Sequence, residues 1–173
     1  MIRIVLAGLA LTLLAGSARA TEPVNIPFKL VEAAFKTAEC SIDLKDEPRI
    51  DVEDLAGLLK IVEIPCWRAA YQGGSIFFVV NPAAPDKARL LRFQVWGAKG
   101  PTWTYSLTEA DFDPKTKKLV SIHKGRGVGD CGSIGSWKWV NGNFVLVGFW
   151  LKDKCDGQPF DDDKRWRVYP PPR

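Results

Sequence analysis

Trp137-Lys138-Trp139-Val140-Asn141-Gly142-Asn143-Phe144-Val145-Leu146 decides the fold class. Asn-Gly is the strongest short-range hairpin signal, because a type I′ turn needs positive φ at both central residues. A two-residue turn at Asn141-Gly142 sets Trp139 opposite Phe144 and Trp137 opposite Leu146, all on one side of an antiparallel pair. Cross-strand aromatic pairs of this kind add roughly 0.2–1 kcal/mol each. This part of the chain is antiparallel β.

The segments on either side carry the same signals. Asp113-Pro114-Lys115-Thr116 is a turn between strands over Ser106–Phe112 and Lys118–His123. Leu91, Phe93 and Val95 alternate with Arg92 and Gln94, the pattern of a half-buried strand. Ser75 to Val80 is continuously apolar, which predicts a central strand buried on both faces, with Gly73-Gly74 as the turn before it. Leu59 to Ile64 reads as a strand running into Pro65-Cys66, and Asn81 to Lys87 as a proline-containing loop. Lys45 to Glu53 is charged and reads as a loop, while Asp54 to Leu59 fits either a helical turn or a strand approach. Arg165 to Tyr169 makes a last short strand, ended by Pro170-Pro171-Pro172. Only one stretch has helical spacing: Phe28, Val31, Phe35 and Ala38, with Lys29, Glu32 and Lys36 between them. Pro27 near the first turn and Asn25 as a cap start this helix, and Cys40 ends it. The expected fold is mainly β (α+β): an antiparallel sheet of about seven to eight strands with one N-terminal helix, stapled by disulfides.

Met1 to Ala20 reads as an address. Arg3 supplies a positive start, Ile4 to Ala15 a short apolar run, and Ala18-Arg19-Ala20 a small-x-small cleavage site before Thr21. The run is too short to span a bilayer, and no later stretch is long and apolar enough to do so. Residues 21–173 suit a single mainly antiparallel β domain. Arg3 and Arg19 leave with the signal, so 22 basic residues face 20 acidic ones, a net charge of +2. That balance gives no electrostatic case for nucleic acid. Cys40, Cys66, Cys131 and Cys155 all remain, and an even number in an exported chain favours disulfides over free thiols. Four cysteines permit three pairings. The sequence-local one, Cys40–Cys66 with Cys131–Cys155, is expected; each bond is worth roughly 3 kcal/mol in the chain-entropy model. No Cys-x-x-Cys occurs and His123 is the only histidine, so a zinc site has little support.

Upstream of the hairpin lies Lys124-Gly125-Arg126-Gly127-Val128-Gly129-Asp130-Cys131-Gly132, too rich in glycine for a regular element and therefore a loop of built shape. With Pro65-Cys66-Trp67-Arg68-Ala69-Ala70-Tyr71, Trp139 to Phe144, and Cys155-Asp156-Gly157 followed by Trp166, it resembles the boxes of a family of secreted Gram-negative proteins, domain of unknown function 1176. The resemblance covers roughly Cys40 to Tyr169 and is most specific at the glycine loop. Ala69 stands where that family usually has glycine, and Gln72 where asparagine is common. Many members carry further sequence ahead of this region, so the match is to their carboxy-terminal part. The resemblance implies a periplasmic or secreted location and this fold, and no activity.

The loop lacks the Gly-x-x-x-x-Gly-Lys-Ser/Thr pattern of a phosphate loop and leads into strand-like tryptophans, which disfavours a nucleotide. In one reading, loop N–H groups with Lys124 and Arg126 capture a carboxylate or phosphate of an envelope polymer. In the other, Arg126 pairs with Asp130 while Cys131 staples the loop. Cys131 as a nucleophile, with His123 as base and Asp130 as orienter, needs a free thiolate that an even cysteine count disfavours. Asp111-x-Asp113-Pro lacks the glycine and distal glutamate of a calcium loop, and Asp161-Asp162-Asp163 reads as a solvated turn before the last strand. Of Trp67, Trp96, Trp103, Trp137, Trp139, Trp150 and Trp166, some must fill the core. Trp137 and Trp139 could also form a sugar-stacking or protein-docking platform. The expected function is an exported binding module for an envelope polymer or a protein, with Lys124, Arg126, Asp130, Arg68 and Tyr71 as its ligand-binding residues. The rival is a secreted hydrolase using the aspartates or His123. No catalytic residue, metal or cofactor is assigned.

Overall fold

In the computed structural model, residues 24–46, 49–97 and 99–171 are described. The export signal expected at Met1 to Ala20, with its cleavage point before Thr21, lies outside them. Helix α1 (Phe28–Thr37) turns Val31, Ala34 and Phe35 inward. Pro27 occupies the N-cap position with no side-chain cap, so Asn25 does not play that part.

Strand β1 (Asp51–Ala56) pairs antiparallel with β2 (Leu59–Arg68) across Gly57-Leu58. The tail of the expected Lys45–Glu53 loop is thus a strand. It lies at a sheet edge, where Asp51 and Glu53 point to solvent and only Leu55 is fully buried. Charged edges of this kind discourage pairing with foreign strands. Strand β3 (Gly73–Val80) begins with Gly73-Gly74, which are therefore not a turn. The turn comes earlier, where Ala69 N–H donates to the Gln72 carbonyl. Gly74 is required for another reason: a Cβ there would lie 2.2 Å from the Trp67 indole nitrogen.

Strand β4 (Arg89–Leu90) extends this sheet, and the chain then leaves it at Leu91-Arg92. The expected strand over Leu91–Val95 is broken there. β5 (Phe93–Gly97) and β6 (Gly100–Thr104) form a separate two-stranded arm. The expected strand over Ser106–Phe112 is also divided. β7 (Ser106–Thr108) pairs with β3, whereas β8 (Ala110–Asp113) pairs with β9 (Lys118–Lys124). Glu109 between them has φ +40°, and that left-handed residue swings the chain from one sheet to the other. β10 (Gly132–Val140), β11 (Asn143–Lys152) and β12 (Arg167–Tyr169) complete a second five-stranded sheet in the order β12-β11-β10-β9-β8. The described residues therefore make twelve strands in three antiparallel sheets, rather than one sheet of seven to eight.

The Asn141-Gly142 hairpin has the expected register, with Trp139 opposite Phe144 and Trp137 opposite Leu146. Both turn residues have positive φ. Strand alternation then builds two cores. Leu55, Ile61, Phe77 and Val79 of the first sheet pack on Leu119, Trp137, Phe144, Leu146 and Phe149 of the second. Val62, Ile64, Cys66, Ile76, Phe78 and Val80, on the opposite face, pack under Val31, Ala34 and Phe35 of α1. β3 is accordingly buried on both faces, and the layers run helix, sheet, sheet. Cys40–Cys66 ties the chain after α1 to β2, and Cys131–Cys155 ties the glycine loop to the chain after β11. Two disulfides fit an oxidising compartment. No helix among the described residues is long and apolar enough to cross a membrane.

Candidate functional site

The glycine loop joins β9 to β10, and its shape is set by one buried carboxylate. Asp130 accepts from Arg126 Nε at 2.7 Å and from Arg126 Nη2 at 2.6 Å. It also accepts the Gly157 N–H at 2.5 Å, which brings in the segment after β11. The hydrogen bonds from Arg126 hold the Asp130 carboxyl far below the usual carboxylate range, with the Gly157 N–H adding to them; burial opposes both without winning. The Cys131–Cys155 disulfide fastens the same two segments. Within the loop, Gly129 N–H closes a turn onto the Arg126 carbonyl at 2.9 Å. At the loop's end Gly132 has φ +136°, and a Cβ there would stand 1.9 Å from the His123 carbonyl oxygen.

The β2–β3 hairpin tip meets this loop from 52 residues away along the chain. Gln72 accepts the Lys124 N–H at 3.0 Å and donates its amide to the Lys124 carbonyl at 3.2 Å, so it mimics a strand neighbour. The Tyr71 ring lies against Gly127, within 3.6 Å of where a Cβ would be. Tyr71 is 48% exposed and Val128, at the loop's apex, 78% exposed. Beside Tyr71 opens a cleft of about 440 Å³ lined by Glu63, Arg68, Ser75 and Glu109, among others. Glu109 braces its rim by accepting the Gly73 N–H at 2.6 Å. Burial pushes the Glu63 carboxyl above the usual range; a hydrogen bond with Ser75 opposes this, and the charges of Asp51 and Asp111 add to it. On the loop's other side Val128, Pro159 and Phe160 line a second depression.

The structure therefore brings Tyr71 onto the glycine loop and sets Arg68 in the adjoining cleft, while Arg126 and Asp130 bind each other. Neither Lys124 nor Arg68 has a carboxylate within 4.0 Å among the described residues. Sequence reasoning missed Gln72, Gly157 and Glu63. Gln72 and Gly157 act through contacts remote in the chain, and Glu63 was read only as part of the Leu59–Ile64 strand.

The other expectations resolve locally. Cys131 is disulfide-bonded and the described residues contain no free cysteine, so the nucleophile reading fails. His123 Nδ1 lies 3.3 Å from Thr108 Oγ1. Asp113 closes the β8–β9 turn by accepting from Lys115 N–H and Thr116 Oγ1. Asp161 accepts the Asp163 N–H, and Asp163 caps the 3₁₀ turn Lys164–Trp166. Trp137 is 1% exposed, between the two sheets, so it forms no platform with Trp139. Asp130, Cys131 and Cys155 lie close enough for a metal, but the two sulfurs are spent on the disulfide and the carboxylate on Arg126 and Gly157.

A pH dependence follows from Asp130. A carboxyl whose folded pKa is depressed contributes stability that is fully present above its unfolded pKa, near 4, and is lost as pH falls toward its folded value. Asp130→Asn is therefore expected to lower the melting temperature at neutral pH and to flatten its decline in acid. Melting curves from neutral to strongly acidic pH check this; parallel profiles for variant and parent would refute it.

The family described as "Protein of unknown function (DUF1176)" matches residues 15–169. The chain is also similar to the "Uncharacterized protein YpfG" of Escherichia coli (strain K12), with 31% identity over 119 residues. That match covers 68% of this chain and 34% of the relative, so the chain spans about a third of that protein. No solved structure matches.

Proposed function

The chain belongs to the DUF1176 family, whose description carries no activity, and we propose that it acts as an exported binding module. Its contact surface is the glycine loop together with the Tyr71 hairpin tip. One observation carries this reading: the glycine loop is locked to the hairpin tip by Gln72 and to the segment after β11 by the Arg126–Asp130–Gly157 cluster and a disulfide, and the joined tip and loop present Tyr71 and Val128 to solvent. A loop ordered before binding loses little entropy on binding, and exposed aromatic and apolar side chains on such a frame are the usual affinity anchors. Arg126 serves by shaping the loop, while Arg68 and Lys124 supply the charge available at its edge. The partner is a protein or an envelope polymer.

The experiment is retention of cell-wall polymer and periplasmic proteins on the immobilised, oxidised protein, beside Val128→Asp. Val128 packs little, so the variant is expected to melt with its parent yet lose at least about tenfold in retention. Equal retention by both, or none by either, overturns the reading. A second reading is favoured by Glu63, a carboxyl raised by burial within a cleft, which is the setting of a general acid. Of the expected hydrolase residues it keeps Asp111, and it sets Glu63 in place of Asp113, Asp161–Asp163 and His123. Assaying the same fractions for soluble fragments decides it: release that persists in Glu63→Gln would end it.

A further inference from the structure

We propose that the opposite end of the sandwich carries a second binding site, for an acidic saccharide. The site is the groove of about 540 Å³ between the Arg89–Arg92 segment, the β5–β6 arm and the tip of the β10–β11 hairpin. Its volume falls within the roughly 300–1,000 Å³ of ligand pockets. β10 separates this groove from the glycine loop by about 27 Å of extended chain.

The lining has a distinct chemistry. Among the described residues, Arg89 and Arg92 are the only charged ones on it, and no carboxylate lines the groove. Neither arginine has a carboxylate within 4.0 Å among the described residues. Two guanidinium groups thus share one concavity with no carboxylate among the described residues to neutralise them. Both are held in place. Arg89 Nη2 donates to the Gly142 carbonyl at 2.5 Å, and the Arg92 guanidinium lies 4.6 Å from the centre of the Trp103 ring. A guanidinium held by the π face of a ring keeps N–H donors for a carboxylate or phosphate.

The rest of the lining suits a sugar ring. Trp103 is 54% exposed, and Tyr105 lies beside it in the groove. An exposed indole offers an apolar face for the C–H face of a pyranose, and an aromatic body with a polar tip suits such half-wet contacts. Gln94 and Asn143 also line the groove, each with an amide that both donates and accepts, as vicinal hydroxyls require. The anionic group, carboxylate or phosphate, goes to Arg92 and Arg89. A nucleic acid would engage many more phosphates than two guanidinium groups can neutralise.

The test is titration calorimetry on the intact oxidised protein. The probes are trigalacturonate, glucose 1-phosphate, neutral maltotriose, inorganic phosphate and a short single-stranded oligonucleotide. At least one of the two acidic saccharides is expected to bind, with maltotriose about tenfold weaker or more, since a charged hydrogen bond is lost. Trigalacturonate and glucose 1-phosphate distinguish carboxylate from phosphate as the anchor. Trp103→Ala and Arg92→Gln should each weaken that binding at least about tenfold, with Arg92→Lys intermediate because it keeps the charge without the fork. Val128→Asp, at the far end, should leave it unchanged, so this proposal and the glycine-loop reading fail separately. No binding by either acidic saccharide overturns the proposal. So do equal affinity for maltotriose, equal affinity for inorganic phosphate, tighter binding of the oligonucleotide, or full affinity in Trp103→Ala.

Discussion

Gly132→Ala is expected to cost about 3 kcal/mol or more of folding stability, read as a drop in the urea midpoint. Two penalties coincide at this residue. Its φ of +136° lies where L side chains rarely go, and the added Cβ would stand 1.9 Å from the His123 carbonyl oxygen. That oxygen is backbone, flanked by paired strands, and cannot rotate away as a side chain could. Relief has to come from moving the start of β10, which carries Cys131 and the glycine loop with it. Gly129→Ala is the control. Its φ of +70° is near the left-handed helical region, and the new Cβ would meet only the flexible Lys124 chain at 3.7–3.8 Å. It should cost roughly 1 kcal/mol. A Gly132→Ala midpoint no lower than that of Gly129→Ala would refute the argument.

Trp137→Ala is expected to be the most damaging core truncation, at about 3–5 kcal/mol. The indole lies between the sheets with Phe93 edge-on at 5.5 Å, and it fits because Gly135 offers no Cβ, which would stand 2.0 Å from the ring. Its Nε1–H also donates to the Gln94 carbonyl at 2.9 Å, tying the β5–β6 arm to the second sheet. Trp137→Phe separates the two contributions. It keeps most of the apolar volume but strands that carbonyl, so a loss of about 1–3 kcal/mol is expected. Trp103→Ala, by contrast, should cost under about 1 kcal/mol, because only a stacked arginine is released. Denaturant midpoints for the three variants check the order; a Trp137→Ala protein as stable as Trp103→Ala would refute it.

What could be read from the sequence was what short-range chemistry decides. Asn141-Gly142 specifies its own turn, and that turn specifies the register of Trp137 and Trp139. The apolar run from Ser75 to Val80 could only be a strand covered on both faces. The break at Glu109 left no such trace, because a non-glycine residue with positive φ gives no local signal and is held by pairing to β3 on one side and β9 on the other. Trp137 and Trp139 share a face, yet only the approach of the first sheet decides how deeply each is buried. The glycine loop announced itself through composition, and the Arg126–Asp130 pair was one of its two anticipated forms. Its docking on Gln72 was invisible, since nothing near Gln72 in the chain points 52 residues ahead. Glu63 escaped for the same reason: it is raised chiefly by burial, which depends on elements distant in the chain, with the charges of Asp51 and Asp111 on two other strands adding to it.

Each disulfide joins cysteines that are consecutive in the chain, 26 and 24 residues apart. In a chain delivered amino end first to an oxidising compartment, Cys66 arrives when Cys40 is its sole possible partner, and that pair can close before Cys131 emerges. Cys155 then arrives with only Cys131 still reduced. Of the three ways to pair four thiols, the native one is the one that order of emergence selects. A protein so connected can be oxidised correctly by a donor of disulfides alone, with no enzyme needed to reshuffle mistakes.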